Sequence, residues 1–295
     1  MSLSDSYPAM VTRAAAFQDT ARWTYVVMAS VILYFGFVLL VAPVLTVWAY
    51  SPRITENPAI ADAFYTGSTP LAVRWNLALF AVYIVLLWGV LRLLHRMTLA
   101  PLIGPPAAAL RAGVMVALWL TPLYVFALAP SIRDPSVIQQ MAVADWIGIL
   151  PLTLPLMFVQ IGAEELVFRG YLQSHLAALS HRPVVWMVVP SVLFGLIHYD
   201  GTQPAYSAWA YVVWATALGL VCADVTARHG SLGPALAIHA VNNFFAIFVL
   251  AADDWLYGAA LYVWPTNGAP WVPWVPYEAL FLLCVWLAAR LALRR

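Results

Sequence analysis

Apolar residues run along this chain in long stretches separated by short polar connections. Eight stretches stand out, at about 24–49, 75–94, 112–130, 145–170, 184–199, 205–227, 232–251 and 275–292. About 20 mostly apolar residues in a helix cross the hydrocarbon core of a bilayer. The pattern therefore predicts an all-α, polytopic transmembrane bundle of about eight spans, the fifth of them short. Residues 1–23 form an N-terminal segment and 24–295 a single membrane domain, since the longest linkers leave no room for a soluble one. The first span follows about two dozen mixed polar residues and has no clear cleavage site, so it reads as retained rather than as a signal peptide.

Orientation follows from arginine placement. Arg13 and Arg22 precede the first span, Arg92, Arg96 and Arg111 surround the second connection, Arg182 lies in the fourth and Arg228 in the sixth. Arg290, Arg294 and Arg295 close the chain. The alternate connections hold Arg53, Arg74 and Arg133, and the seventh is acidic with Asp253 and Asp254. Both termini are thus expected in the cytoplasm, with Trp271, Trp274 and Tyr277 as an aromatic belt on the opposite side. Composition agrees: 64% of residues are hydrophobic and 9% charged, against about 25% charged in soluble domains. A net charge of +1 says nothing about nucleic acid, and with no basic block no nucleic-acid partner is expected; the lipid bilayer is the expected one. All the basic residues are arginine, a bias that suits a bacterial cytoplasmic membrane protein. Cys222 and Cys284 both lie in apolar stretches, which points to neither a disulfide framework nor a cysteine zinc site.

Against this background three polar constellations need a reason. An ionisable side chain at the centre of a membrane helix costs roughly 2.5–3.5 kcal/mol on insertion scales. The fourth span carries Glu164, Glu165 and Arg169. Glu165 and Arg169 are four apart, about 40° around a helix, so they can pair, while Glu164 points away and is free to face a cavity. In the fifth span Phe194 and His198 share a face. In the seventh, His239 and Asn243 share a face and Asn242 lies about 60° to one side. The other polar groups have simpler readings. Asp224 and Arg228 form a helix-end ion pair, and Asp145 and Glu278 suit helix N-termini. His95, His175, His181 and His229 fall in cytoplasmic connections beside arginines. Pro151 and Pro155 are expected to loosen the fourth helix before the glutamate pair. One feature resists: His198 would lie about 24 Å of helix rise from Arg182, deeper than Glu164 and His239 look.

Glu164-Glu165-x-x-x-Arg169, Phe194-x-x-x-His198 and His239-x-x-x-Asn243 resemble, in that order, the three motifs of the CPBP family. That family comprises the CAAX prenyl endopeptidases of the Ras-converting type and bacterial bacteriocin-processing or immunity proteins. The resemblance covers about 145–250. It implies an intramembrane endopeptidase in which Glu164 activates water and His198 helps hold it. His239 and Asn243 would stabilise the oxyanion, and Arg169 would lock Glu165, with Phe194 and Asn242 as supporting neighbours. The site would lie among the fourth, fifth and seventh spans and act on a membrane-associated or secreted peptide. No metal is favoured. Glu164, His198 and His239 would be the ligands if Zn²⁺ were used, but the His-Glu-x-x-His signature is absent. The alternative is an immunity or regulatory protein that binds a peptide or partner and cuts nothing. A proton-coupled transporter is a third reading, without the visible inverted repeat that many transporters carry.

Overall fold

The structure is a computed structural model that describes residues 7–266 and 275–294. Among these, a short helix α1 (Pro8–Ala15) precedes eight apolar helices. They are α2 (Trp23–Ala49), α3 (Pro70–His95), α4 (Pro106–Leu128) and α5 (Val143–Leu179), then α6 (Val184–Leu196), α7 (Ala205–His229), α8 (Gly233–Val249) and α9 (Val275–Ala292). Each predicted stretch is a helix. Six of the eight, all but α6 and α8, are long and apolar enough to cross a membrane. The 13 residues of α6 and 17 of α8 rise only about 20 and 25 Å, short of a hydrocarbon core of about 30 Å. Trp271 and Trp274 of the expected aromatic belt lie outside the described residues; Tyr277 is in the first turn of α9.

A small sheet was not foreseen. Strands β1 (Ile138–Gln139), β2 (Leu250–Ala252) and β3 (Tyr262–Trp264) line up in the order β1-β3-β2, antiparallel and then parallel. It joins the start of α5 to the end of α8. Two- and three-residue strands are too short to show an alternating pattern, which is why the sequence hid them.

Helix α8 sits at the centre, packed on α4, α5, α7 and α9. Small residues permit this, as expected where van der Waals packing rather than water drives association. A Cβ at Gly233 would land on the Ala109 carbonyl, so the α4 and α8 backbones touch there. At the end of the bundle opposite the sheet, α1 is stapled beneath the helices by buried Arg13. Its Nε donates to Ser174 Oγ (2.9 Å), Nη1 to the Gly230 carbonyl (3.2 Å) and Nη2 to the Leu102 carbonyl. Burial draws the Arg13 guanidinium down to about 10, because losing water disfavours the charged form. The Asp224–Arg228 pair expected at the end of α7 is present at 2.9 Å. Asp224 also accepts from Tyr7 and Trp286, so the N-terminal helix and the last helix meet at the same end.

Two expectations are corrected. The stretch read as ending near 170 continues to Leu179, and its middle relaxes into a wider π-type turn over Leu166–Leu172. His95 and His175 therefore lie inside helices, not in connections. Both are buried, their rings 4.5 Å apart beside Tyr171, whose hydroxyl meets His95 Nε2 at 2.9 Å. Nor do Pro151 and Pro155 interrupt α5, which is α-helical through both. The loosening falls after the glutamate pair instead of before it.

Candidate active site

Helix α5 carries Gln160, Glu164, Glu165 and Arg169 into the middle of the bundle, all buried. The two adjacent carboxylates are treated differently. Glu165 Oε1 accepts from Arg169 Nη1 at 3.0 Å and from His239 Nδ1 at 2.9 Å. Arg169 is 1% and Glu165 0% exposed, so this is a fully desolvated ion pair completed by an imidazole. Glu164 Oε2 is buried with no hydrogen-bond partner in the structure. It faces His239 Nε2 at 3.4 Å, longer than a charge-assisted bond of about 2.7–2.9 Å. His239 thus bridges the pair: one nitrogen is tied to Glu165, the other aimed at Glu164.

This bridge constrains the protons. An ionised Glu165 only accepts, so Nδ1 of His239 must carry hydrogen. His239 Nε2 and Glu164 Oε2 then attract each other only if one proton lies between them, on either partner. With the proton on His239, Glu164 is a carboxylate base and Nε2 a donor.

Phe194, on α6, is the hub around which the Arg169 guanidinium and two imidazoles gather. Arg169 Cζ lies 4.4 Å from its ring centroid, the His198 ring 4.6 Å and the His239 ring 6.0 Å. His198 is half-buried just past the end of α6, and its Nδ1 is 2.6 Å from the Phe194 carbonyl. A carbonyl only accepts, so Nδ1 donates, and in the neutral imidazole the lone pair is on Nε2. Among the described residues no hydrogen bond or ion pair joins His198 to Glu164 or His239. Asp200, unassigned from the sequence, closes the following turn by accepting from the Thr202 backbone N–H (2.8 Å) and hydroxyl (2.6 Å). Close approach of α6 to α7 depends on Gly195, where a Cβ would strike Thr216 Oγ1 and lie 2.6 Å from the Val212 carbonyl.

The depth mismatch also resolves. With α5 reaching Leu179, Glu164 lies about 22 Å of rise from that end, close to the 24 Å of His198. Arg13 bonds both Ser174 and Gly230, which places those two at one level. Ser174 follows Glu164 by ten residues and Gly230 precedes His239 by nine, so Glu164 and His239 rise to a common height.

Asn243 does not touch the carboxylates. Its Nδ2 donates to Gln160 Oε1 at 2.9 Å, and its Oδ1 accepts from Asn242 Nδ2 at 3.2 Å. Asn242 Oδ1 accepts from Tyr124 O–H of α4 at 3.1 Å. Sequence reasoning missed Gln160 and Tyr124. Gln160 had a signal, an amide one helical turn before Glu164 in an otherwise apolar stretch; Tyr124 had none. Tyr83 of α3 and Tyr211 of α7 also lie within electrostatic reach of Glu164.

Residues 146–245 match the family model of the type II CAAX prenyl endopeptidases, Rce1-like. Over this segment the chain is similar to that family. The uncharacterized protein YyaK of Bacillus subtilis (strain 168) is 29% identical over 154 residues, 52% of this chain and 50% of that protein. The chain therefore spans about half the length of the curated relative it matches. No solved structure matches it. The matched segment runs from the first turn of α5 to Phe245 of α8, and so holds every residue just described except Arg13, Tyr83 and Tyr124.

Within the matched segment the donor set for zinc would be Glu164, His198 and His239. Among the described residues no three His, Cys, Asp or Glu side chains are grouped to hold a metal ion. Both His239 nitrogens face glutamates, while His198 packs against the Phe194 ring. As arranged, Glu164, His198 and His239 do not fit a three-ligand centre.

Proposed function

We propose that this multi-pass membrane protein is an intramembrane endopeptidase that hydrolyses a peptide bond with water activated by Glu164, in a cavity formed by α5, α6 and α8. The observation that supports this reading is the split between adjacent carboxylates: Glu165 is held through Oε1 by Arg169 and His239, whereas among the described residues no hydrogen bond reaches the Glu164 carboxylate. Glu164 takes a proton from water as the oxygen attacks the scissile carbonyl. His239 Nε2–H and the second Nδ2–H of Asn243 donate to the oxyanion; one such donor is typically worth about 2.7–4 kcal/mol of transition-state stabilisation. His198, through its free Nε2, orients the attacking water. As the C–N bond breaks, Glu164 returns its proton to the leaving amine. The glutamate mechanism is metal-free, and the substrate is a membrane-associated or secreted peptide held in a bacterial cytoplasmic membrane by a protein with both termini inside.

The test compares membrane and secreted peptides from cells expressing wild type or Glu164→Gln at equal levels. New termini that appear only with wild type support the hydrolase and define its substrate class. Identical peptide profiles, with a cellular phenotype retained by the variant, move the assignment to a peptide-binding or immunity protein.

A further inference from the structure

We propose that Gln160 is a positioning residue for the oxyanion donor, the last member of a one-way hydrogen-bond chain that starts at Tyr124. The inference rests on the reading of Asn243 as that donor. Tyr124 is buried, with its ring stacked on Phe245 at 5.2 Å and edge-on to Phe281 at 4.8 Å. Its hydroxyl has one hydrogen, which goes to Asn242 Oδ1. With the hydroxyl donating, the Asn242 amide turns its oxygen to Tyr124 and its Nδ2 to Asn243 Oδ1. Asn243 is then flipped so that Nδ2 meets Gln160 Oε1.

Each amide is a two-fold choice about a soft terminal torsion. Turned by half a rotation, Asn243 would present a carbonyl oxygen where a donor is needed, and a developing oxyanion would be repelled. The chain removes that choice, and its bonds polarise one another in a common direction. Asn243 keeps a second N–H for the oxyanion while the first is spent on Gln160. Gln160 and Glu164 lie four apart on α5, so a single helix face sets both the base and, through Asn243, the donor. Buried at 8% exposure, Gln160 has no need of water to hold this geometry.

A mere interhelical tie between α5 and α8 would have a different signature from a positioning role, and kinetics separate them. The probe is the peptide cut in the Glu164→Gln comparison, synthesised with a fluorophore and quencher and offered to the purified full chain. Gln160→Met, similar in size but without the amide acceptor, is expected to lower kcat about 10- to 100-fold, the scale of a misplaced reacting group, with KM changed by less than about twofold. Asn243→Ala is expected to lower kcat similarly, and the double variant to be no worse than Asn243→Ala alone. Gln160→Glu keeps an acceptor and should recover most of kcat, with the acid limb of its pH profile moved upward by a second negative charge one turn from Glu164.

Losses that multiply in the double variant, or a rise in KM at unchanged kcat, overturn the proposal. If Gln160→Met does not fold, Tyr124→Phe is read in the same cycle with Asn243→Ala. Non-additivity supports the chain and additivity overturns it. Should Glu164→Gln itself retain cleavage, the reading of Glu164 as the base falls. A dead Glu164→Gln with multiplying Gln160 and Asn243 losses removes only the present inference.

Discussion

Glu164 and Glu165 are neighbours in sequence, of one chemical type and almost equally buried, yet their amide variants should fail in opposite ways. Glu165→Gln removes the charge that neutralises Arg169 and weakens the bonds from Arg169 (3.0 Å) and His239 (2.9 Å). Arg169 is 1% exposed, so its guanidinium is left charged in a dry site. Breaking a buried pair by removing one partner costs about 3–5 kcal/mol, two to three and a half powers of ten in the unfolding equilibrium at about 1.4 kcal/mol per decade. Glu164→Gln gives up one long contact of 3.4 Å to His239, worth less than about 1 kcal/mol. Purified variants unfolded by a detergent titration and followed by tryptophan fluorescence give both numbers, and the peptide assay gives activity. Glu165→Gln should be destabilised and impaired. Glu164→Gln should be as stable as wild type and inactive. Equal stability of the two variants, or greater loss in Glu164→Gln, would refute the division of labour between them.

Three further outcomes follow from other contacts. Gly195→Val should separate α6 from α7 and cost about 1–3 kcal/mol as an overpacked contact, whereas Gly148→Ala, with nothing within 4 Å of the new Cβ, should unfold at or above the wild-type detergent concentration. Arg13→Ala loses its bonds to Ser174, Gly230 and Leu102; leaving buried acceptors unmet costs about 1–3 kcal/mol, and limited proteolysis should cut after α1 faster than in wild type. Metal removal completes the set: cleavage should be unchanged by 1,10-phenanthroline, and inhibition reversed by added Zn²⁺ would refute the metal-free mechanism.

The apolar pattern was enough to place all eight membrane-domain helices, because burial in lipid imposes a long uninterrupted stretch that no other fold needs. It misjudged where α5 ends. Gln173, Ser174 and His175 interrupt the hydropathy, yet all three are buried: Gln173 Nε2 donates to the Ala223 carbonyl of α7, Ser174 Oγ accepts from Arg13 of α1, and His175 Nδ1 donates to the Tyr171 carbonyl one turn back. Spacing alone anticipated the Glu165–Arg169 pair, since four residues along a helix is a local relation. It could not anticipate that His239 would face both carboxylates, or that Asn243 would turn toward Gln160. Those contacts join residues 74 and 83 positions apart and depend on how α5 and α8 are rotated against one another. The β1-β3-β2 sheet was invisible for the opposite reason: its strands are stabilised by backbone bonds between distant segments and carry no pattern of their own.

The wide turn at Leu166–Leu172 has a consequence for how α5 tolerates change in length. A turn closed by i→i+5 bonds holds one residue more than an α-helical turn, so it takes up an extra residue without changing the phase of the helix on either side. Above it, Gln160 and the glutamates are timed to α8; below it, Ser174 is timed to Arg13. Deleting one residue within the turn would restore ordinary winding and leave both halves facing as they do, the lower half drawn up by about 1.5 Å, whereas the same deletion in the α-helical stretch above would swing one half against the other by about 100°. The wide turn is thus the place where α5 can lose a residue and still keep its two ends in step.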